Sequence, residues 1–269
     1  MIILVPMGGK GSRFAKAGYE INKACIPTTD RHTGRTLPMV VCAMKDIPGI
    51  DSTENKIICI DREFHQANGT EETIQQHFNK VVFIHDHVLL DQAYACFLAK
   101  DFLNSDEELF IGACDNGMEI GLESFEQAKE NADVLMISHT NDHNISQNPQ
   151  AHSWAKLEDN GKTLSAISLK KTVSNNPMND HATTGMFWFK HANFFLKYLE
   201  KMISAKDALN GKYYVDKVLQ YFIDDGLIVQ YFDVKYICWG TPKDYEDYEE
   251  TIKYWNAFYD AEQWLTKNQ

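Results

Sequence analysis

The start of the chain constrains its fold most, because a short apolar run there leads directly into a glycine-rich turn. Ile2-Ile3-Leu4-Val5 are apolar and mostly β-branched, which predicts a buried first strand. Glycines at positions 8, 9 and 11 let the backbone turn tightly and leave room for a ligand beside the main chain. Backbone N–H groups in such a turn suit phosphate oxygens, and Arg13 adds a permanent positive charge. This beginning therefore predicts a phosphate-binding loop.

The loop differs from two familiar nucleotide-binding motifs. The dinucleotide pattern Gly-x-Gly-x-x-Gly is absent, and so is a P-loop ending in Gly-Lys-Ser/Thr. Lys23 follows ten residues after Arg13 and precedes an apolar stretch that ends at Pro27. Two structural alternatives stay open at this point: the glycines could form a simple tight connection, and Lys23 could be a solvated surface residue.

Taken together, Gly8-Gly9-Lys10-Gly11-Ser12-Arg13, Lys23 and Pro27 resemble the sugar-phosphate nucleotidyltransferase family, the NDP-sugar pyrophosphorylases. Its members begin with Gly-Gly-x-Gly-(Ser/Thr)-Arg, followed by a Lys shortly before an apolar stretch and a Pro. The resemblance extends over residues 2–248 and implies an enzyme that uses Mg²⁺. Such an enzyme transfers a nucleoside monophosphate from a nucleoside triphosphate to a sugar 1-phosphate and releases pyrophosphate.

In that reaction the acceptor phosphate is already an anion, so the protein must chiefly align two polyanions and neutralise the transition state. We predict that Arg13 steadies the leaving pyrophosphate and that Lys23 bridges the reacting phosphates. By the resemblance, the nucleotide is bound by Met7, Gly8, Gly9, Gly11, Ser12 and Gln92. Gln92 carries the donor and acceptor that a nucleobase edge needs. Asp91 stands where relatives often have Gly, so a solvent-facing Gln92 stays an alternative.

Asp115 follows another apolar run, Leu109 to Ala113, which predicts a buried strand. Ligands of open α/β sheets bind at the carboxyl ends of strands, and Mg²⁺ prefers carboxylate, phosphate and water oxygens. The resemblance also places a metal-binding Asp at this strand end. We therefore predict Asp115 as a Mg²⁺ ligand, with a simple Asp-Asn-Gly turn as the structural alternative.

The acceptor side is predicted from the resemblance. It places Lys171 at the acceptor phosphate and Thr184 with Gly185 in the acceptor pocket. Lys170 stands where relatives have a Glu that binds sugar hydroxyls. Lysine in place of glutamate reverses the charge at this position. The acceptor could therefore be a smaller or more anionic compound, such as another phosphorylated polyol or a phosphorylated amino alcohol.

Cys238 departs from the family pattern. Relatives often carry a second metal-binding Asp two residues before a Gly-Thr pair, which here is Gly240-Thr241. Cysteine is a poor ligand for a hard cation. Either Asp216 or another carboxylate substitutes, or Asp115 holds the metal with phosphates and water.

His85 and His87 form a second candidate metal motif, because residues two apart on a strand end share a face. A third soft ligand with suitable spacing is not evident in the sequence. We therefore interpret the pair as polar loop residues.

The composition of the chain disfavours some classes of binding partner. A net charge of −12 disfavours nucleic acid and anionic membranes, while a local group of basic residues still permits a small phosphorylated ligand. No apolar run approaches a membrane span, and the chain begins with a strand instead of a secretory signal. Six cysteines without a Cys-x-x-Cys pattern are typical of reduced thiols, so we expect a cytoplasmic protein. Homo-oligomerisation stays open.

Alternating strand and helix patterns predict an α/β fold, Rossmann-like, with a mainly parallel twisted sheet flanked by helices. An inserted β-hairpin about Asp159-Asn160-Gly161 is expected on the acceptor side of the cleft. The 269 residues are interpreted as one domain. Residues 1–140 form its nucleotide-binding half, 141–240 its acceptor-binding half and 241–269 a C-terminal helix. In that helix, Tyr254, Trp255, Phe258, Tyr259 and Trp264 recur at roughly helical spacing, which predicts packing on the body or on a second subunit.

Three alternative functions are considered, two of them because the chain departs from the family pattern at Lys170 and Cys238. A cytidylyltransferase acting on a non-sugar phosphate accommodates Lys170. A non-catalytic protein that binds nucleotide or sugar phosphate for regulation accommodates Cys238. A nicotinamide-dependent oxidoreductase is disfavoured, because the third glycine is absent and Arg13 is present.

Overall fold

The structure is a computed structural model that describes residues 1–88 and 91–267, with side chains described as far as residue 258. Its strands are β1 (Ile2–Pro6), β2 (Pro27–Thr29), β3 (Thr36–Pro38), β4 (Lys56–Asp61), β5 (Val81–His85), β6 (Leu109–Ile111), β7 (Asn116–Glu119), β8 (Val134–His139), β9 (Ser153–Leu157), β10 (Leu164–Leu169), β11 (Ala182–Phe189), β12 (Val229–Asp233) and β13 (Lys235–Cys238).

The α-helices are α1 (Ser12–Lys16), α2 (Met39–Met44), α3 (Glu63–Ala67), α4 (Thr70–His77), α5 (Gln92–Phe97), α6 (Lys100–Leu103), α7 (Leu122–Lys129), α8 (His143–Gln147), α9 (Ala192–Ser204), α10 (Val215–Asp224) and α11 (Pro242–Lys267). Short 3₁₀ helices span Lys23–Cys25, Pro149–Ala151 and Pro177–Asn179. Within the described residues, no helix combines the length and the apolar character needed to cross a membrane.

The central sheet has the strand order β10-β9-β11-β6-β1-β4-β5, and β8 joins it by pairing with β11 and β12. β1 is parallel to β4 and β6, β4 is parallel to β5, and β8 is parallel to β12. β11 is antiparallel to β6, β8 and β9, and β10 is antiparallel to β9. Most strands described in this sheet therefore share one direction, which confirms the predicted mainly parallel α/β sheet.

Alternate residues of β1 enter different cores. Ile2 and Leu4 pack in the core that contains residues of α5, α9 and α10. Ile3 and Val5 pack on the other side with residues of α2, α4 and α7. A strand covered on both faces has no polar face, which explains the unbroken apolar run of β1.

An irregularity in β11 opens the sheet at its centre. The pairing of β11 with β8 shifts register between Thr183 and Phe187. β6 pairs with Phe187–Phe189, whereas β9 meets β11 at Ala182. The segment around Thr184 and Gly185 therefore lies between β6 and β9, just beyond the carboxyl end of β6. β7 and β13 form a small antiparallel sheet that leads away from the same point.

Several predicted elements are confirmed, and the differences fall in polar segments. The predicted hairpin forms between β9 and β10, with Gly161 in the left-handed region at φ 68°. The sequence of residues 14–38 has a loop-like pattern, but the segment includes a 3₁₀ helix and the β2–β3 hairpin. Residues 141–152 also have the polar composition of a loop, yet they contain α8, which begins where the Asp142 side chain accepts a hydrogen bond from Asn144 N at 2.8 Å. Side-chain caps of this kind stabilise helices too short to show periodicity.

The C-terminal helix is α11, and its aromatic residues differ in their packing. Tyr254, Trp255 and Phe258 are 65%, 47% and 43% exposed, so they do not bury their rings in the body of the chain, and their packing on a second subunit stays a prediction. Nearer its start, Tyr245 and Tyr248 pack against Phe14, Trp239 and their neighbours. The side chains of Tyr259 and Trp264 lie outside the described residues.

Candidate active site

Two adjoining cavities lie at the carboxyl edge of the sheet, and Gln92 and Asp115 line both of them. The smaller cavity has a volume of about 280 Å³, and it is lined by Pro6, Met7, Gly8, Gly9, Asn22, Lys23, Ala24, Asp86, Gln92, Ala95, Ala113, Cys114 and Asp115. The larger cavity, of about 450 Å³, is described below by its separate walls. The shared residues mean that ligands in the two cavities would meet beside Asp115.

The glycine loop forms one wall of the smaller cavity. Met7 N donates a hydrogen bond to Ile60 O at 2.8 Å, which ties the start of the loop to β4. Gly11 has φ 59°, in the left-handed region. A Cβ at Gly11 would lie 3.1 Å from the Cβ of Lys23, so the absence of a side chain lets the loop pack on the Lys23 segment.

Lys23 is held beside the glycine loop by the 3₁₀ helix that begins with it. Asn22 caps this helix by accepting from Ala24 N at 3.2 Å, and its side chain also donates to Gly9 O at 3.0 Å. The Lys23 ammonium then reaches Asp115, with 2.5 Å between Nζ and Oδ2. Burial lowers the pKa of Lys23, but the Asp115 carboxylate outweighs this effect, and the net pKa is raised. Lys23 therefore stays a cation in the cavity.

Arg13 approaches the same point from α1. Its Nη1 donates to Gly240 O at 3.4 Å, and the side chain lines the larger cavity. The positive charge of Arg13 opposes a rise in the pKa of Lys23, which reflects the closeness of the two cations. The structure thus brings Arg13, Lys23 and Asp115 to one cleft.

Asp115 is adjoined by further oxygen and sulfur atoms. Asn116 is buried and donates to Thr184 O at 3.2 Å, while its Oδ1 has no hydrogen-bond partner among the described residues. Burial and, to a smaller extent, the Asp244 carboxylate raise the pKa of the Cys238 thiol to about 12, so Cys238 is a neutral thiol. Asp244 also lines the larger cavity, where it accepts from Thr241 Oγ1 at 2.6 Å. The Asp244 carboxylate therefore lies next to Cys238, the position where the resemblance implies a metal-binding Asp.

Lys170 and Asp216 form the far wall of the larger cavity. Lys170 has φ 59°, and this left-handed conformation turns its side chain over the Tyr214 ring, with Nζ 5.3 Å from the centroid. Asp216 is 4% exposed, and its Oδ1 finds no hydrogen-bond partner in the described part of the chain. Burial raises the pKa of Asp216 and Lys170 acts against that rise, while burial lowers the pKa of Lys170.

Most of the predicted site residues line a cavity, and three do not. Met7, Gly8 and Gly9 line the smaller cavity, and Thr184 and Gly185 line the larger one. Gly11 and Ser12 are outside both linings. Lys171 is exposed and also lies outside both linings, whereas Lys170, with its left-handed backbone, lines the larger cavity. The role of Lys171 at the acceptor phosphate stays a prediction.

Sequence reasoning missed a polar wall of the larger cavity. It is formed by Asn144, Gln147, Asn148 and His152 in and after α8, together with Tyr236 of β13. Asp142 followed by Asn144 was a signal for a capped helix start. No comparable local signal marks Tyr236, because β13 reaches the site by pairing with β7, far away in sequence.

Comparisons with known proteins show the fold. No protein-family model matches the sequence, and no curated protein matches it either. Among solved structures, a nucleoside-diphosphate-sugar pyrophosphorylase from Vibrio cholerae RC9 aligns with a TM-score of 0.73 at 20% identity, over 91% of this chain and 98% of the other. A UDP-glucose pyrophosphorylase complexed with UDP-glucose aligns with a TM-score of 0.68 at 12% identity, over 97% and 98%. The inositol-1-phosphate CTP transferase from T. maritima aligns with a TM-score of 0.64 at 18% identity, over 94% and 96%.

This chain has the nucleotidyltransferase fold. The alignments span nearly all of it and nearly all of each solved chain. The fold that the sequence resemblance implied is therefore confirmed, although the residues themselves differ at four or more positions in five in these three pairs.

Proposed function

We propose that this protein is a nucleotidyltransferase that moves a nucleoside monophosphate from a nucleoside triphosphate to a sugar 1-phosphate or a similar phosphorylated metabolite. An acceptor phosphate oxygen attacks the α-phosphorus, the bond from that phosphorus to the bridging oxygen breaks, and pyrophosphate leaves. The observation that carries the proposal is the meeting of two cavities at Asp115, with Lys23 and Arg13 in the same cleft.

The smaller cavity suits the triphosphate. Met7, Gly8 and Gly9 present backbone at one wall, and Lys23 is a fixed cation beside them. We assign residues 1–140 to nucleotide binding on this basis, with Gln92 between the two ligands. Lys23 would neutralise charge on the reacting phosphates, and Arg13 would attract the pyrophosphate as it leaves.

The larger cavity suits the acceptor. Its walls come mostly from residues 141–240, and they are rich in polar side chains, including the buried Asp216. Polar groups of this kind can hydrogen-bond the hydroxyl groups of a sugar or polyol. Lys170 offers a positive charge for the acceptor phosphate, the role that the resemblance gave to Lys171.

The residues at Asp115 fit a Mg²⁺ ion. Asp115 and the unpartnered Asn116 Oδ1 provide hard oxygen donors in the larger cavity, and Asp244 adds a carboxylate beside Cys238. We assign Asp115 and Asp244 as the residues that would hold the ion, since a neutral thiol is a poor ligand for it. When bound there, Mg²⁺ would neutralise phosphate charge and align the triphosphate.

Pyrophosphate release tests the proposal directly. The purified chain is mixed with Mg²⁺, one of CTP, UTP, GTP, ATP or dTTP, and one of a set of sugar 1-phosphates, polyol phosphates and phosphorylated amino alcohols. We expect one nucleotide and acceptor pair to release pyrophosphate in step with formation of the NDP-linked product. Nucleotide binding without pyrophosphate from any pair would instead support the non-catalytic regulatory protein.

Lys170 favours a second candidate within the same reaction, transfer of a cytidylyl group to a non-sugar phosphate. The solved protein named as an inositol-1-phosphate CTP transferase has this fold and is named for a polyol phosphate. Product formed from CTP and a polyol or amino-alcohol phosphate, and not from any sugar 1-phosphate, would decide for this candidate. For either reaction we propose a cytoplasmic location, which is supported by the six free cysteines.

A further inference from the structure

A cluster of two carboxylates and one imidazole lies behind the glycine loop, outside the linings of both cavities. Asp61 ends β4 and His85 ends its parallel neighbour β5, and the two residues are register partners. Glu71 lies in the first turn of α4. One ligand atom from each residue lies within 4.8 Å of the ligand atoms of the other two.

The carboxylates of this cluster are buried, and some of their oxygens lack a hydrogen-bond donor. Asp61 is 0% exposed and Glu71 is 8% exposed. Asp61 Oδ1 is paired with His85 Nδ1 at 2.7 Å. Asp61 Oδ2 and Glu71 Oε1, however, have no hydrogen-bond partner among the residues that the structure describes. Two buried carboxylate oxygens without hydrogen-bond donors are unfavourable at this point.

A bound cation, or a proton shared by the two carboxyl groups, would give Asp61 Oδ2 and Glu71 Oε1 a partner. A shared proton needs the two carboxyl groups alone, whereas this cluster adds an imidazole at the same point. One histidine and two carboxylates form a mixed nitrogen and oxygen donor set, which is typical of Zn²⁺ and related divalent transition metals. Mg²⁺ prefers oxygen ligands throughout. The histidine therefore favours a transition metal over both Mg²⁺ and a proton.

We propose that Asp61, Glu71 and His85 bind a divalent transition-metal ion, with Zn²⁺ preferred over Mg²⁺. The site fastens the ends of β4, β5 and α4 beneath the glycine loop. Asp61 O accepts from Asp86 N at 2.8 Å, and a Cβ at Gly8 would lie 3.5 Å from the same oxygen. The ion thus supports the floor of the smaller cavity, and the proposal does not depend on the reaction proposed above.

Metal titration of the untagged, full-length chain tests this site. After dialysis against a chelator, isothermal titration calorimetry with ZnCl₂ is expected to show about one tight site per chain, and the melting temperature is expected to rise with the Zn²⁺ concentration. MgCl₂ is expected to give no tight site at the same concentrations, since Mg²⁺ at Asp115 and Asp244 would also need phosphate oxygens of a bound nucleotide. Asp61→Asn, Glu71→Gln and His85→Gln are each expected to weaken Zn²⁺ binding by about tenfold or more, since loss of even an outer-shell partner costs about 10–100-fold.

Two control variants separate this site from its neighbours. His87→Ala removes the exposed imidazole two residues from His85, and Asp115→Ala removes the carboxylate shared by the two cavities. Both are expected to bind Zn²⁺ as the wild type does. Unchanged binding by Asp61→Asn and His85→Gln overturns the proposal, as does loss of binding in either control. No Zn²⁺ binding by the wild type, combined with a more stable Asp61→Asn variant, would identify a shared proton instead and would also overturn it.

Discussion

The smaller and the larger cavity are built differently. The smaller one is lined in part by a single run at the end of β1, Pro6 to Gly9, and by the ion pair between Lys23 and Asp115. The larger one is lined by residues of α8, β11, α10, β13 and α11, and by Lys170, which follows β10. A glycine loop with a fixed cation suits the phosphates that all nucleoside triphosphates share. A wall of separate side chains suits an acceptor that differs from one enzyme to another.

The two cavities also treat a lysine in opposite ways. The pKa of Lys23 is raised, because Asp115 outweighs the effect of burial. The pKa of Lys170 is lowered by burial, although the Asp216 carboxylate opposes that shift. Lys23 is therefore held in its charged form, whereas Lys170 and Asp216 offset the effect of burial on each other's pKa. The difference suggests that substitutions on the nucleotide side reduce turnover, while those on the acceptor side change acceptor affinity.

The largest expected effect comes from the nucleotide side. Asp115→Asn removes the carboxylate that pairs with Lys23 and is assigned to hold Mg²⁺, and Lys23→Met removes the cation. We expect either change to lower kcat for pyrophosphate release by about 100- to 1,000-fold, the usual cost of losing one preorganised charge at a transition state. Lys16→Ala is the matched control, because Lys16 is exposed in α1 and outside both cavities.

Melting temperatures for the same variants show whether the fold is intact. Lys23 and Asp115 retain 21% and 25% of their side-chain exposure, so we expect only a small loss of stability. Wild-type rates in both variants would mean that the reaction takes place elsewhere. A fall of similar size in Lys16→Ala would point to a general effect of basic charge.

A smaller effect is expected on the acceptor side. Lys170→Met and Asp216→Asn each remove a charged hydrogen-bonding group from the larger cavity, so we expect the KM for the acceptor to rise about 10- to 100-fold. The KM for the nucleoside triphosphate should change little, since neither residue lines the smaller cavity. Steady-state kinetics with each substrate varied in turn measures both constants.

Lys171→Met sharpens this test. The structure places Lys170 in the wall and leaves Lys171 exposed, so the KM for the acceptor should rise more in Lys170→Met than in Lys171→Met. The reverse order would restore the assignment implied by the family resemblance. An equal rise in the KM for both substrates would contradict the separation of the two cavities.

The sequence predicts the glycine-loop side of the smaller cavity well, because the parts of that side are local. Strand, glycine turn and cation follow one another within residues 2–23, and β1 pairs with β4 and β6 as an apolar run buried on both faces must. Asp115 was predictable for a similar reason, since it follows a short apolar strand and ligands gather at such ends.

The larger cavity was less predictable, because its residues meet through long-range pairing. Tyr236 and Cys238 arrive on β13, whose partner β7 is too short and polar to read as a strand. Asp244 enters from the first turn of α11, and nothing in the local pattern shows which way it faces. The choice between Lys170 and Lys171 depends on one left-handed backbone angle, which the residue types do not indicate.

The smallest expected effect is an acid sensitivity that belongs to the acceptor side. His139 at the end of β8 is buried, stacks on Tyr236 at 4.3 Å between ring centroids and contacts His152 at 5.2 Å. Burial lowers the pKa of His139 to about 4, the charge of His152 adds to this, and Asp142 and Asp233 oppose it. Neither ring nitrogen has a hydrogen-bond partner in the described residues.

Because the unfolded chain takes up a proton at its ordinary pKa of about 6.5 and the folded chain does not, stability is complete above that pH and is lost as pH falls toward 4. We expect the free energy of unfolding to drop by about 1–2 kcal/mol between pH 7 and pH 5 through this residue, as measured by urea unfolding. His139→Phe keeps an aromatic ring against Tyr236 and should remove most of that drop, while substitution of the exposed His143 by Ala should leave it unchanged. An equally steep loss in His139→Phe would place the acid sensitivity in other groups.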